Sequence, residues 1–458
     1  MIRYCSLVGI LSLSSLTAIA QEPFKYQKKI TELVEPYREH QKFNAISIGV
    51  LSNGEVWEKS FGSLDSTSDS KPNSKTIYEI GSISKVFTSL LLAQAVESGK
   101  LKLDDPISTI MTELEKENPA VGSSITFKHL SHHVSGLPVM PLNIAPKDST
   151  NPFADYDRPS LVEYMKSAQP KRKPGVEYEY SNLAVGLLGD LLARQADTSY
   201  EKLLKTQLTE QLEMLDTSIT LSSDQKSQLA PPHNLALLLD SSWDFDALAG
   251  CGAIRSNVDD MLTFAKAVLN PPKGPLGKAI ELAWKKQKEA VGGQHAMGLG
   301  WMIAQDGATR WHNGQTGGYH SMILINRSLK TAVVLLSNTA NPQLDQLTEQ
   351  IFRAVIGMEV QPTQFDTEFQ VKPEVAKRLE GKYQLAPGAI ITVQVKDAKM
   401  MAQLTGQQFL ALIPKSETEW KYQLVDATLK FELPEKGNSP KVTLFQSGRE
   451  LPAPRIKK

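Results

Sequence analysis

Tyr78-Glu79-Ile80-Gly81-Ser82-Ile83-Ser84-Lys85 places a Ser-x-x-Lys pair where a helix should start. From residue 82 to 98 the apolar side chains Val86, Phe87, Leu90, Leu91 and Val96 suit a buried helix, which Gly99 closes. Three residues apart means one helix face, so the Lys85 amine can approach the Ser82 hydroxyl. Burial beside other cations lowers an ammonium pKa and lets a lysine accept a proton. A helix N-terminus also favours negative charge developing at the serine. Alone, the pair is a common spacing of common residues and specifies no chemistry.

Two other segments gain meaning beside it. Tyr180-Ser181-Asn182 lies between a polar loop and an apolar helical stretch, where Tyr180 and Asn182 can face a cleft. His312-Asn313-Gly314-Gln315-Thr316-Gly317-Gly318 follows a predicted strand and puts glycines where a substrate can approach the backbone.

Outward from these segments the pattern is mixed. Ile30, Leu33, Val34 and Tyr37 recur at helical spacing, and Ile46, Ile48 and Val50 alternate as one face of a strand. Asn53-Gly54 then predicts a tight hairpin, with 55–61 returning antiparallel and 63–74 a polar surface loop. The middle of the chain reads as mostly helical. Strand-like runs return at 300–304, 321–326 and 331–337, so one sheet is built from both ends of this domain. Asn341-Pro342 caps a last helix carrying Leu344, Leu347, Ile351 and Val355, stopped by Gly357. A stretch rich in Pro, Gln and Thr follows, and beyond it Ile391, Val393 and Val395 alternate, Asp397-Ala398 turns, and strands recur near Leu410, Tyr422, Leu429 and Val442. That pattern suggests a small antiparallel barrel. The expected domains are therefore 21–360, a linker over 361–374, and a barrel over 375–458.

Composition narrows the class. With 458 residues the chain exceeds the size at which single cores stop growing, and 41% hydrophobic with 22% charged residues is ordinary for globular protein. Fifty basic against 50 acidic side chains leave no net field for a polyanion, so nucleic acid is not an expected partner. Arg3, an apolar run over 7–16 and Ala18-Ile19-Ala20 form a signal-peptide pattern with cleavage expected after Ala20, so the mature protein is expected to be exported, in the periplasm, with no stable membrane anchor. Cys5 would leave with that leader, and Cys251, flanked by glycines, reads as a small buried residue. His129, His132 and His133 lack a carboxylate or cysteine at ligand spacing, so neither a metal nor any other cofactor is expected. Gly-x-Ser-x-Gly, the signature of α/β-hydrolases, does not occur.

The order Ser-x-x-Lys, Tyr-x-Asn, His-x-Gly resembles the serine β-lactamase and penicillin-binding protein superfamily, and within it the class C branch, over residues 43–357. The run at Ser82 is similar to the class C signature aromatic-Glu-aliphatic-Gly-Ser-x-Ser-Lys. Gly99-Lys100-Leu101-Lys102-Leu103-Asp104-Asp105-Pro106, and Ile125-Thr126-Phe127-Lys128-His129-Leu130 with Gly136-Leu137-Pro138, are similar to other stretches of the family. The resemblance implies an α/β (α+β) domain: an antiparallel sheet flanked by helices beside an all-helical part, with the site between them. It also implies that Ser82 attacks a carbonyl, that Lys85 and Tyr180 shuttle its proton, and that Asn182 binds the substrate amide oxygen. His312 and Gly314 would line the substrate site, and the N–H groups of Ser82 and Gln315 would form an oxyanion hole. Residues 379–456 resemble the lipocalin-like domain appended to some relatives; Tyr383, Phe409, Trp420, Tyr422 and Phe431 read as its core rather than a ligand pocket.

One departure bears on substrate. Class C enzymes usually carry a lysine where His312 stands, and histidine is mostly neutral at pH 7. The sequence therefore leaves an ordered set of acyl donors: β-lactams first, then peptidoglycan stem peptides ending in D-Ala, then small esters or D-amino-acid peptides. A wall-fragment sensor is the non-enzymatic reading, against which an intact Ser82, Lys85 and Tyr180 argue. If His312 gains a proton in mild acid, recognition of a carboxylate should improve there.

Overall fold

The computed structural model describes residues 24–65, 69–289, 295–365, 369–396, 399–407, 409–423, 425–446 and 448–456. The leader-like segment and the expected turn at Asp397-Ala398 lie outside the described residues.

Apolar alternation in β1 (Ala45–Ser52) buries both of its faces, and Asn53-Gly54 returns the chain as β2 (Glu55–Gly62) with Ser52 opposite Glu55. The short strands β3 (Tyr78–Glu79) and β4 (Arg255–Ser256) form a separate antiparallel ribbon. Late in the domain come β5 (Ala296–Met297), β6 (Met302–Ile303), β7 (Arg310–Gln315), β8 (His320–Asn326) and β9 (Thr331–Ser337). The main sheet runs β2-β1-β9-β8-β7-β6-β5, so β1 and β9, from opposite ends of the domain, pair one strand in from the β2 edge. The His312–Gln315 segment, expected to follow a strand, is itself the end of one.

Each face of this sheet needs apolar cover, and the helical periodicities supply it. On one face Ile30, Leu33 and Val34 of helix Gln27–Glu39, with Leu344, Leu347 and Ile351 of helix Gln343–Val355, pack on Ile46, Ile48, Val333 and Leu335. The other face meets Val258, Leu262 and Phe264 of helix Val258–Leu269. Behind that layer lies helix Ser84–Glu97, apolar around its circumference and buried from Ser84 to Ala93. It packs against helices Pro275–Trp284 and Asn182–Gln195, the second belonging to the all-helical part with Phe127–Ser131, Arg158–Ser167 and Tyr200–Leu204. The sequence predicts one helix from Ser82; instead Ser82 stands in a separate 3-10 turn, Gly81–Ile83, ahead of the helix.

After helix Pro373–Leu379 the chain forms eight antiparallel strands in sequence order, from Gly381–Ala386 to Arg449–Pro454. The ends nearly close the barrel: Tyr383 bridges to Arg455, and Ile456 N–H donates to Lys382 O at 2.8 Å. Tyr383, Trp420, Tyr422 and Phe431 are buried in its core with Leu429 and Val442. Phe409 differs from that expectation. It packs outward with Met401 and Ala411 on Ala236 and Leu238 of the first domain, where Gln423 Nε2 also donates to Leu235 O at 3.2 Å and Lys399 Nζ donates to Ala236 O.

Truncating Leu347, fully buried between helix and sheet, should cost about 2–5 kcal/mol. Truncating Val56, 58% exposed, should change stability by less than about 0.5 kcal/mol. Urea midpoints of Leu347→Ala and Val56→Ala check this; equal shifts would contradict the layer assignment.

Candidate active site

The Ser82 turn is held by backbone contacts that leave no room for side chains. Gly81 has φ +49°, and a Cβ there would lie 2.7 Å from the Gln315 nitrogen. Opposite it, a Cβ on Gly314 would lie 2.0 Å from Ile80 O and 2.8 Å from Ser82 N. Ser321 Oγ, on β8, donates to Ile80 O at 2.8 Å and Ile80 N–H to Ile254 O at 3.0 Å, so the turn is gripped from two sides. The consequence is chemical: the main-chain nitrogens of Ser82 and Gln315 meet at one contact, as a pair of oxyanion donors requires.

Lys85 stands in the first turn of the buried helix, 1% exposed, with Nζ 2.8 Å from Ser82 Oγ and 2.7 Å from Cys251 O. Ser82 itself is partly open. The Cys251 carbonyl is presented by a 3-10 turn, Ala249–Cys251, and Thr88 Oγ1 fixes that turn by donating to Gly250 O at 2.6 Å. This carbonyl had no signal in the sequence, because main-chain acceptors carry no residue signature. Cys251 contributes its backbone while its thiol stays buried, and burial raises the thiol pKa.

Tyr180 reaches the same amine, though by its ring rather than its hydroxyl: Lys85 Nζ lies 5.0 Å from the ring centroid. His133 packs tilted by 30° against the same ring at 4.4 Å between centroids, and its Nδ1 accepts the Ser181 N–H at 3.1 Å. Ser181 in turn caps the helix that Asn182 opens, its Oγ accepting Ala184 N–H at 3.0 Å and donating to Pro138 O at 2.6 Å. Helix capping thus explains why Tyr180 and Asn182 flank a serine: the cap fixes both at the helix entrance. His133 packs beside the site, a place sequence reasoning, which weighed it only as a metal ligand, did not give it. His129 does cap helix Phe127–Ser131, accepting Thr126 N–H at Nδ1.

His312 is 1% exposed on β7. Burial, followed by the charge of Lys85, pushes its pKa down from 6.5 to about 3. Its Nδ1 lies 2.6 Å from Asn313 O, which can only accept, so Nδ1 holds the hydrogen and Nε2 of the neutral ring is an acceptor. The expected mild-acid switch is overturned. His312 does not become a cation in mild acid, and its N–H is already committed to the backbone. Burial and Lys85 likewise hold His133 well below 6.5.

Below the turn, Glu79 of the opening motif is buried and accepts Trp243 N–H at 3.0 Å and an Arg255 guanidinium hydrogen at 3.2 Å. Arg255 also donates to Trp243 O and Asp244 Oδ1, each at 2.9 Å. The acid in the motif therefore locks β3 and β4 to the loop carrying Trp243, on which Gly317 packs.

The family model described as Beta-lactamase matches residues 30–356. The chain is 25% identical over 338 residues to Protein flp of Staphylococcus aureus (strain N315), covering 72% of this chain and 67% of that protein. It is 26% identical over 318 residues to the D-alanyl-D-alanine-carboxypeptidase/endopeptidase AmpH of Escherichia coli (strain K12), covering 64% of this chain and 79% of the relative. A solved class C beta-lactamase superposes with a TM-score of 0.65 at 22% identity, over 73% of this chain and 98% of its own.

The histidines also predict an acid response. His132, like His312, is pushed by burial from 6.5 to about 3. The unfolded chain binds protons below about pH 6.5 that the native state refuses until about pH 3, so this contribution is complete above pH 6.5 and is lost progressively as pH falls toward 3. Urea midpoints measured across that window should fall less steeply for His312→Asn than for wild type. Over about pH 5–8 the KM for a carboxylate-bearing acyl donor should show no His312-dependent change; an improvement in mild acid that His312→Asn removes would contradict the buried, neutral assignment.

Proposed function

The chain belongs to the beta-lactamase family, and from that premise we propose that it is a serine hydrolase working through an acyl-enzyme on Ser82. The observation that carries this reading is the 2.8 Å contact between Lys85 Nζ and Ser82 Oγ. Binding alone needs no nucleophile held against an amine, so a wall-fragment sensor is the weaker reading.

In the first half-reaction Ser82 Oγ attacks the acyl carbonyl while its proton passes to Lys85. The carbonyl oxygen, becoming an oxyanion, is received by the N–H groups of Ser82 and Gln315. Tyr180, against the same amine, relays the proton to the leaving group as the tetrahedral intermediate collapses, and Asn182 holds the amide oxygen of the acyl side. Water then attacks the ester on Ser82 and returns the serine. In the free enzyme the phenol faces Lys85 by its ring; a substrate in the cleft is expected to draw its hydroxyl into line, as catalytic hydrogen bonds tighten on binding.

The state of His312 supports a different order of substrates. A lysine at position 312 would pair with a substrate carboxylate, but His312 is neutral and presents an acceptor. Repulsion between lone pairs disfavours a carboxylate beside it. Acyl donors without that charge, small esters above all, are therefore the preferred class. β-Lactams and peptides ending in D-Ala form the second reading, favoured by the relatives themselves. The proposal also includes export of the mature chain from Gln21, with a catalytic unit over 21–360, a linker over 361–374 and the barrel over 375–458. Among the described residues no helix is long and apolar enough to cross a membrane.

Incubation with a fluorophosphonate and a fluorescent penicillin, read by intact mass, tests the nucleophile. Wild type should gain one adduct with the phosphonate and Ser82→Ala none; labelling that survives in Ser82→Ala would remove the acyl-enzyme reading. Lys85→Ala should lower kcat/KM on the order of 10³-fold. A nitrophenyl ester should be turned over with higher kcat/KM than a chromogenic cephalosporin or a D-Ala-D-Ala peptide, and the reverse order would restore the β-lactam reading.

A further inference from the structure

Gln315 is the last residue of β7, and in the acyl-enzyme reading its main-chain N–H, set against the Ser82 turn, is one of the two oxyanion donors. A strand end is where a ladder frays most easily, and beyond it the chain turns through Thr316, Gly317 and Gly318 before β8 begins. The side chain of Gln315 is directed at an anchor. Opposite it in the β7–β8 register stands His320, 2% exposed, whose Nδ1 is 2.9 Å from Gln315 Oε1. His320 Nε2 is 2.8 Å from Asp345 Oδ1, and Asp345 Oδ2 accepts from Asn313 Nδ2 at 2.6 Å.

The geometry matters because strand side chains alternate. Asn313 and Gln315 share one face of β7, while His312 and Gly314 share the other, which meets the Ser82 turn. One carboxylate, in the first turn of helix Gln343–Val355, therefore grips the strand at both residues flanking Gly314: directly at 313, and through His320 at 315. The Asp345 carboxylate can only accept, so His320 Nε2 holds a hydrogen. The Gln315 amide can offer either its oxygen or its NH2 to Nδ1, so the anchor does not depend on which one faces the ring.

We propose that Asp345 and His320 are positioning residues of the oxyanion hole, holding the end of β7 so that the Gln315 N–H stays aligned with that of Ser82. The inference rests on the acyl-enzyme reading of Ser82. Neither residue touches substrate. Their contribution comes from preorganisation: a donor displaced by about 1 Å from the developing oxyanion loses much of its effect on rate.

The test compares Asp345→Asn, His320→Phe, Gln315→Ala and the His320→Phe/Gln315→Ala double variant in the full chain, using ester turnover, the rate of fluorophosphonate labelling and Tm. Gln315→Ala keeps the backbone N–H at an exposed position, which separates the anchor from any folding defect. Each single variant should lose kcat and labelling rate on the order of 10–100-fold, with KM within about twofold. The double variant should be no slower than the slower single, since one anchor is removed twice. Unchanged kcat in Gln315→Ala and Asp345→Asn, losses that multiply in the double variant, or losses confined to KM would overturn the proposal. Wild type that fails to label at Ser82 would overturn the acyl-enzyme reading and this inference with it, whereas labelled wild type with unaffected variants would overturn this inference alone.

Discussion

The site depends on two backbones meeting without side chains between them. The Ser82 turn and the end of β7 approach so closely that a single Cβ at Gly81 or Gly314 would overlap main-chain atoms of the other segment. That contact joins the sheet to the buried helix Ser84–Glu97, and it places the serine where both can act on it. The helix brings Lys85 up from below; the strand brings a main-chain donor from the side. Neither element could do this alone, because a hydroxyl on a helix has no oxyanion donor facing it and a strand end has no base.

Burial sets the electrostatics around this contact. Lys85 is enclosed, and its hydrogen bonds go to a serine hydroxyl and a peptide carbonyl rather than to a carboxylate. Two imidazoles that feel its charge, His133 and His312, are both held neutral by burial and by the lysine itself. A second cation at position 312 would be repelled by Lys85 at short range; a neutral imidazole avoids that repulsion and gives up a carboxylate partner. The proposed preference for uncharged acyl donors rests on the same desolvation that encloses the amine beside the serine.

Much of this was legible in the chain itself. Helical and strand periods located the sheet from both ends, the last helix and the separate barrel, and three short motifs together pointed to one cleft. What the sequence did not show has physical causes. Ser82 lies in a 3-10 turn rather than in the helix because Gly81 takes a left-handed φ, which a pattern of apolar residues does not register. The Cys251 carbonyl is main chain, so its residue type says nothing of its role. His133 meets Ser181 across 48 positions and Asp345 meets His320 across 25, while the short step from His320 to Gln315 depends on the β7–β8 register; only pairing of strands and packing of a helix bring such groups together. His312 was recognisable by its place in the motif, but its protonation is a property of the pocket rather than of the residue. Phe409 read as barrel core because its neighbours alternate; it instead covers Ala236 and Leu238, a surface supplied by the other domain.

Contacts run from the barrel to the turn beside the site. The barrel rests on Leu235, Ala236 and Leu238, and just before them His233 N–H donates to Gly318 O at 3.1 Å, in the turn that follows Gln315. At the proposed site itself, Lys85 Nζ lies against Ser82 Oγ while the main-chain nitrogens of Ser82 and Gln315 border the same backbone contact. A crystal structure of the enzyme phosphonylated at Ser82 measures this most directly. A phosphoryl oxygen is expected within about 3 Å of both Ser82 N and Gln315 N, with Lys85 Nζ still beside Oγ. An adduct whose phosphoryl oxygen points to solvent, with Gln315 N unbound, would contradict it.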